Sequence, residues 1–209
     1  MLGFYNYTVV LTYVGMLTAF FGVVFAIHGS IEHALLCLMI SGFCDMFDGL
    51  IASTMKNRTR RQKNFGIQID SMSDLICFGV LPAIVVLQSL DTQGSRVVTG
   101  ICGLYLLCTL IRLSYFNVDE AERQEKSDGR RENFQGLPVT SSALVLPLIF
   151  CLCDSTPASL EKIAPCVMLV MAIAFLTPFH LKKPALFGKL VLSVIGIAVL
   201  VCLISKGGM

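Results

Sequence analysis

Residues 45–74 read DMFDGLIASTMKNRTRRQKNFGIQIDSMSD, with strongly apolar sequence on both sides. Asp45 and Asp48 close one apolar segment, Asp70 and Asp74 open the next, and between them lie Lys56, Arg58, Arg60, Arg61 and Lys63. The flanks decide the fold. Of 209 residues, 55% are hydrophobic and 14% charged, with a mean hydropathy of +0.76, where a soluble domain carries about 25% charged residues. The apolar residues form blocks at 8–28, 33–54 apart from the aspartates, 75–90, 97–118, 137–153, 163–179 and 185–204. Most approach the roughly 17–25 residues that take a helix across a bilayer, and none shows the apolar–polar alternation of a membrane β-barrel strand. The expectation is an all-α, polytopic membrane bundle of six or seven transmembrane helices in a single domain, 1–209.

The opening MLGFYNYT has no basic n-region and no small-residue cleavage site, so the first apolar block reads as a retained helix. The 9 cysteines are scattered through apolar segments without a C-x-x-C pair, which suits small packing residues better than disulfides or metal ligands. His28, His33 and His180 fall near span ends and are assigned no ligand role.

Charge sets the orientation. Thirteen of the 16 lysines and arginines fall in the connections after spans two, four and six, leaving Arg96, Lys162 and Lys206 for the other side. The positive-inside rule then turns the 45–74 stretch and the N-terminus toward the cytoplasm. A seventh span over 185–204 sends the C-terminus outside, whereas a re-entrant segment leaves six. The basic rim suits anionic lipid head groups and phosphorylated substrates, or serves orientation alone; no nucleic-acid partner is expected.

Asp45 and Asp48 stand at i and i+3, with Gly49 and Ala52 at i+4 and i+7, on one helical face. Gly66, Asp70 and Asp74 repeat the arrangement at i, i+4 and i+8. Each helix thus presents two carboxylates beside small residues that admit a ligand or another helix. A single aspartate within a membrane segment costs about 3 kcal/mol on insertion scales, and four repel one another unless cations neutralise them. A pair of divalent ions does so, and hard oxygen ligands favour Mg²⁺ or Mn²⁺. Such a pair suits phosphoryl chemistry. The alternatives are solvated residues at helix ends and a carboxylate-lined ion or proton pathway. Against the pathway, the aspartates lie near one membrane face and no inverted repeat is visible.

Asp45-x-x-Asp48-Gly49-x-x-Ala52 followed by Gly66-x-x-x-Asp70-x-x-x-Asp74 resembles the signature of the CDP-alcohol phosphotransferases, with seven fixed residues in thirty positions. The resemblance implies transfer of a phosphoryl-linked lipid from a CDP carrier to an alcohol, with release of CMP and a divalent metal. FGIQIDSMSDLICFGVLPA at 65–83, RLSYFNV at 112–118 and NFQGLP at 133–138 look like the bacterial and archaeal serine-accepting branch, which forms phosphatidylserine. The other acceptors within the family are glycerol 3-phosphate and inositol phosphate; an ion transporter is the alternative outside it. Two features depart from the family pattern. Ser53 stands where it has arginine, and the spacer Thr54–Phe65 has twelve residues rather than about eight. If the family arginine holds the nucleotide phosphates, the resemblance implies that a neighbouring base such as Lys56 or Arg58 takes its place or that affinity is reduced.

By the resemblance, the catalytic core spans roughly 8–180. Asp45, Asp48 and Asp70 bind the metals that hold the CDP pyrophosphate, and Asp74 adds a metal contact or acts as base. Asp45, Asp48, Gly49, Ala52 and Gly66 form the CDP side, with room for cytidine over the small residues. Chemistry independently asks for a base near a serine hydroxyl, and Asp74 is assigned to it. Arg112 either takes the serine carboxylate or a lipid phosphate through its fork, or anchors its helix end by snorkelling. Asn117, Asn133 and Thr140 are candidates for further polar contacts to serine. Gly136-Leu137-Pro138 reads as a turn and helix start, and 119–133 as a solvated loop, a helix extension or a lid. The resemblance also implies a homodimer.

Overall fold

The computed structural model describes residues 3–55, 57–89, 95–126, 133–153, 157–178, 180–182, 194–201, 203 and 205. Helix α1 (Tyr7–Ile27) and helix α2 (Ile31–Thr54) form an antiparallel hairpin. Its turn passes through Gly29 at φ 81°, a left-handed conformation that glycine adopts without strain. Buried on α1 are Val9 and a row of Thr8, Thr12, Gly15, Ala19, Gly22 and Ala26, spaced alternately by four and three residues. That row of small side chains brings α2 close, and a Cβ on Gly22 would stand 2.8 Å from the Cβ of Cys37. In lipid, close packing of this kind replaces the hydrophobic drive that holds helices together in water.

Helix α3 (Arg60–Asp74) begins at a capping box. Gln62 N donates to Thr59 Oγ1 at 3.2 Å, and Thr59 N donates to Gln62 Oε1 at 2.9 Å. The helix does not stop at Asp74. It runs through a π-helical segment, Leu75–Val80, into α4 (Leu81–Ser89), so the third span begins fifteen residues before the apolar block at 75–90. Hydropathy marks where the chain becomes apolar, whereas the capping box marks where the helix starts.

The π segment has a chemical cause. Pro82 has no N–H, so it leaves the carbonyl of Phe78, four residues back, without its α-helical donor. The buried hydroxyl of Tyr105 donates to that carbonyl at 2.6 Å. Tyr105 comes from α5 (Arg96–Lys126), and its ring lies 5.5 Å from that of Phe175 in α7 (Pro157–Leu176). These residues join Leu35, Leu38, Leu81, Val85, Leu146 and Met168 in the core.

Helix α5 continues past the expected end at 118, so 119–126 is a helical extension; 127–132 lies outside the described residues. Gly136, at φ 72°, turns the chain, and a 3₁₀ turn, Val139–Ser141, then leads into α6 (Ser142–Cys153), as the Gly-Leu-Pro reading expects. One element was not expected. Two three-residue strands, β1 (Asn133–Gln135) and β2 (His180–Lys182), pair antiparallel where the chain enters α6 and leaves α7. Among the described residues the bundle otherwise consists of helices and their connections.

Four helices are long and apolar enough to cross a membrane: Tyr7–Ile27, Ile31–Thr54, Arg60–Ser89 and Arg96–Glu122. Two shorter apolar helices, Val139–Cys153 and Lys162–Leu176, bring the number among the described residues to six. Of the seventh expected segment, 194–201 is helical, and most of the remainder lies outside the described residues. Large apolar side chains such as Val10, Leu17, Phe21, Leu107 and Val170 point outward, as the surface of an integral membrane protein requires. None of the eight described cysteines is in a disulfide.

Tyr105→Phe keeps the ring but leaves the Phe78 carbonyl buried without its partner. The expected loss is about 1–3 kcal/mol, read as a lower thermal midpoint of the purified protein in detergent.

Candidate functional site

Because α3 returns antiparallel to α2, the deeper aspartate of one helix meets the deeper aspartate of the other. Asp45 lies within hydrogen-bonding reach of Asp74, and Asp48 of Asp70. One carboxylate oxygen from each of Asp45, Asp70 and Asp74 falls within 4.8 Å of the others. An ion that bonds oxygen at about 2.1–2.6 Å bridges donors up to about 4–5 Å apart, so the trio fits a hard divalent cation. Asp48 stands one turn nearer the open end, is buried, and accepts from Thr12 Oγ1 at 3.2 Å. The four carboxylates border a cavity of about 10 Å³ that Thr12, Ser41 and Ser73 also line. That is room for an ion or a water. A larger ligand must lie beyond it.

The space beyond is on the Gly49 side. Gly49 is exposed, and a Cβ built on it would meet nothing within 4 Å, while Ala52, one turn further, is half-buried. Gly66 lies one turn beyond Asp70 on the facing helix, and the Arg58 guanidinium covers it. The seven motif residues thus form a graded face, with carboxylates at the closed end and small residues at the open end.

The carboxylates are held by neighbours that the sequence analysis did not single out. Thr12 binds Asp48, and its carbonyl accepts from Ser73 Oγ at 3.4 Å, tying α1 to both acidic helices. Ser41 Oγ donates to the Gly15 carbonyl at 2.9 Å. The available signal was the spacing of Thr8 and Thr12 with the small residues of α1, which puts their hydroxyls on the face that packs against α2. Ser71, beside Asp70, donates to Asn117 Oδ1 at 2.7 Å and so links the acidic helix to α5.

Of the residues expected to take serine, Asn117 is therefore tied directly to the aspartate-bearing helix. Arg112 is half-buried five residues earlier on α5, a rotation of about 140° that puts the two on different faces. Thr140 is half-buried in the 3₁₀ turn, and Asn133 lies in β1 by its backbone. Neither Arg112, Asn117 nor Thr140 lines the cavity. Of the two bases near Ser53, Lys56 lies outside the described residues.

The CDP-alcohol phosphatidyltransferase model matches residues 5–201. The chain is 28% identical over 161 residues to archaetidylserine synthase of Methanothermobacter thermautotrophicus, covering 76% of this chain and 64% of that protein. It is 36% identical over 116 residues to CDP-diacylglycerol–serine O-phosphatidyltransferase of Saccharomyces cerevisiae, covering 54% and 40%, respectively. The enzyme of that name from Bacillus subtilis is 27% identical over 129 residues, covering 59% and 66%. The aligned part thus spans less than two thirds of each relative's length. The family match takes in both aspartate-bearing helices and nearly the whole chain, and the chain belongs to the CDP-alcohol phosphatidyltransferase family.

Proposed function

We propose that this protein transfers the phosphatidyl group of CDP-diacylglycerol to the hydroxyl of L-serine, giving phosphatidylserine and CMP. The observation that carries the reading is the meeting of both aspartate pairs of the family motif around one ion-sized cavity with open space above it. The serine acceptor is supported by three relatives whose names specify serine or its lipid product.

In the reaction, the serine oxygen attacks the phosphorus that bears diacylglycerol, and the P–O bond to CMP breaks. The serine proton passes to a base, and CMP leaves as an anion. Asp74 is that base on this reading; it comes from the same helix as Ser71, whose bond to Asn117 marks the side of α3 facing α5. Asp45, Asp48, Asp70 and Asp74 would hold two divalent ions, Mg²⁺ or Mn²⁺, whose chemistry is to neutralise the pyrophosphate and the charge on the leaving oxygen. Gly49, Ala52 and Gly66 leave room for the nucleotide, and Arg112, Asn117, Asn133 and Thr140 are the residues proposed for the acceptor side. The basic connection between α2 and α3 supports a site that faces the cytoplasm. The working unit is a homodimer in this proposal, and residues 1–209 act as one domain.

CMP release by the detergent-purified protein, with CDP-diacylglycerol and Mn²⁺ or Mg²⁺, tests the reading. Serine should support release, while glycerol 3-phosphate and inositol phosphate should not. Release with another acceptor instead would overturn the substrate and keep the chemistry.

Asp74→Asn should lower turnover by about 10²-fold or more while CDP-lipid binding stays close to that of the parent protein. Loss of binding in that variant would remove the base assignment and leave Asp74 with a metal-holding or structural role alone.

Mn²⁺ should raise the thermal midpoint, by the equivalent of about 2.7 kcal/mol at 100 times its dissociation constant. Asp70→Asn should remove most of that rise, and an unchanged rise would place the ion elsewhere.

A further inference from the structure

Arg58 is the residue just before the N-cap of α3, next to the capping box between Thr59 and Gln62. Residues 62, 66, 70 and 74 are spaced by four within α3, so they follow one row along the helix, and Arg58 stands just ahead of it. The Arg58 side chain runs down that row. Its Nη2 donates to the Gln62 carbonyl at 3.4 Å, and a Cβ on Gly66 would stand 2.6 Å from the same nitrogen. Only a glycine at 66 lets the guanidinium lie flat there. The next residue in the row is Asp70, about 6 Å further along the axis.

The guanidinium is also incompletely satisfied. Its Nε is buried and has no hydrogen-bond partner among the described residues, although such a group in a folded protein ordinarily finds one. A long weak bond to a carbonyl and an unpartnered donor describe a cation held in place for something else. The open volume at Gly49 lies on the facing helix at the same end of the site. A ligand there would have carboxylate-held cations on its inner side and a forked cation on its outer side, which suits a dianionic or trianionic phosphate group. Arginine binds phosphate oxygens through paired N–H donors, with Nε and one Nη acting together.

We infer that Arg58 is a substrate-binding residue that takes a phosphate of the nucleotide, using its buried Nε and an Nη, on the opposite side of the pyrophosphate from the aspartates. The inference rests on the nucleotide reading given above and adds a residue to it. Arg61, three residues on, is exposed and sits outside the row, so it serves as a control for general positive charge.

The test is CDP binding at fixed Mn²⁺ by the full chain in detergent, for the parent protein and for Arg58→Ala, Arg58→Lys and Arg61→Ala, with thermal midpoints recorded to verify folding. Arg58→Ala should weaken CDP binding about 10-fold or more. Arg58→Lys should recover only part of it because a single ammonium lacks the fork, and Arg61→Ala should stay within about twofold. Turnover with serine should show the Arg58→Ala effect mainly as a higher KM for the CDP-lipid, with the KM for serine unchanged. CDP binding that is unchanged in Arg58→Ala, or that falls equally in Arg61→Ala, overturns the assignment and leaves the proposed reaction standing. A parent protein that binds no CDP overturns both. A parent protein that binds CDP through Arg58 but uses an acceptor other than serine keeps the assignment and removes only the acceptor.

Discussion

Mutual repulsion among carboxylates is the constraint on which the rest of the structure depends. With oxygens within 4.8 Å of one another, each ionised pair repels by about 3 kcal/mol or more at an effective dielectric of about 20. Three such pairs rival the whole stability of an ordinary domain, about 5–15 kcal/mol. The helices that carry the aspartates must therefore be held by contacts lying elsewhere. The row of small residues on α1 locks α2 in place, the capping box fixes the start of α3, and Thr12 ties Asp48 and Ser73 to the first helix. A cation between the carboxylates turns the same repulsion into attraction, so affinity for the ion and strain in the helix pair have one origin.

Much of this was legible in the sequence because it depends on spacing alone. Asp45 and Asp48 must share a face with Gly49 and Ala52, and Asp70 must lie one turn from Gly66 and one from Asp74, whatever the tertiary structure. The antiparallel return of the chain after Thr54 does the rest. What spacing does not give is which carboxylates come nearest. Asp74 joins Asp45 and Asp70 in the trio with oxygens within 4.8 Å of one another, whereas Asp48 pairs with Asp70, a matter of helix register set by packing. Thr12 escaped notice because one hydroxyl within an apolar span satisfies itself on its own backbone as readily as on a neighbour. The helix boundaries at 60 and 126 lay outside the apolar blocks because polar helix beyond the bilayer leaves no hydropathy signal.

The division of labour along the bundle follows from the same geometry. α2 and α3 supply the acids, α1 braces them from one side, and α5 meets α3 through Ser71 and Asn117 on another. The open end, with Gly49 exposed, joins a region of polar and basic connections. In the proposed reaction, a lipid-borne pyrophosphate and a water-soluble alcohol would meet at that end. The exposed apolar surface of α1 and α7 keeps the scaffold in lipid while the reactive groups stay at its boundary.

The π segment between Asp74 and Pro82 also separates two tasks in helical phase. Each π turn holds about one residue more than an α turn, which offsets the side-chain rows before and after it by about 100°. The acidic row of α3 therefore does not continue as a row on α4, where Leu81, Ala83, Val85 and Val86 are all buried. A straight helix would have carried the face that binds ligand directly into the face that packs the core. The offset turns the acidic row and the core-packing residues to different sides, so one continuous helix serves both.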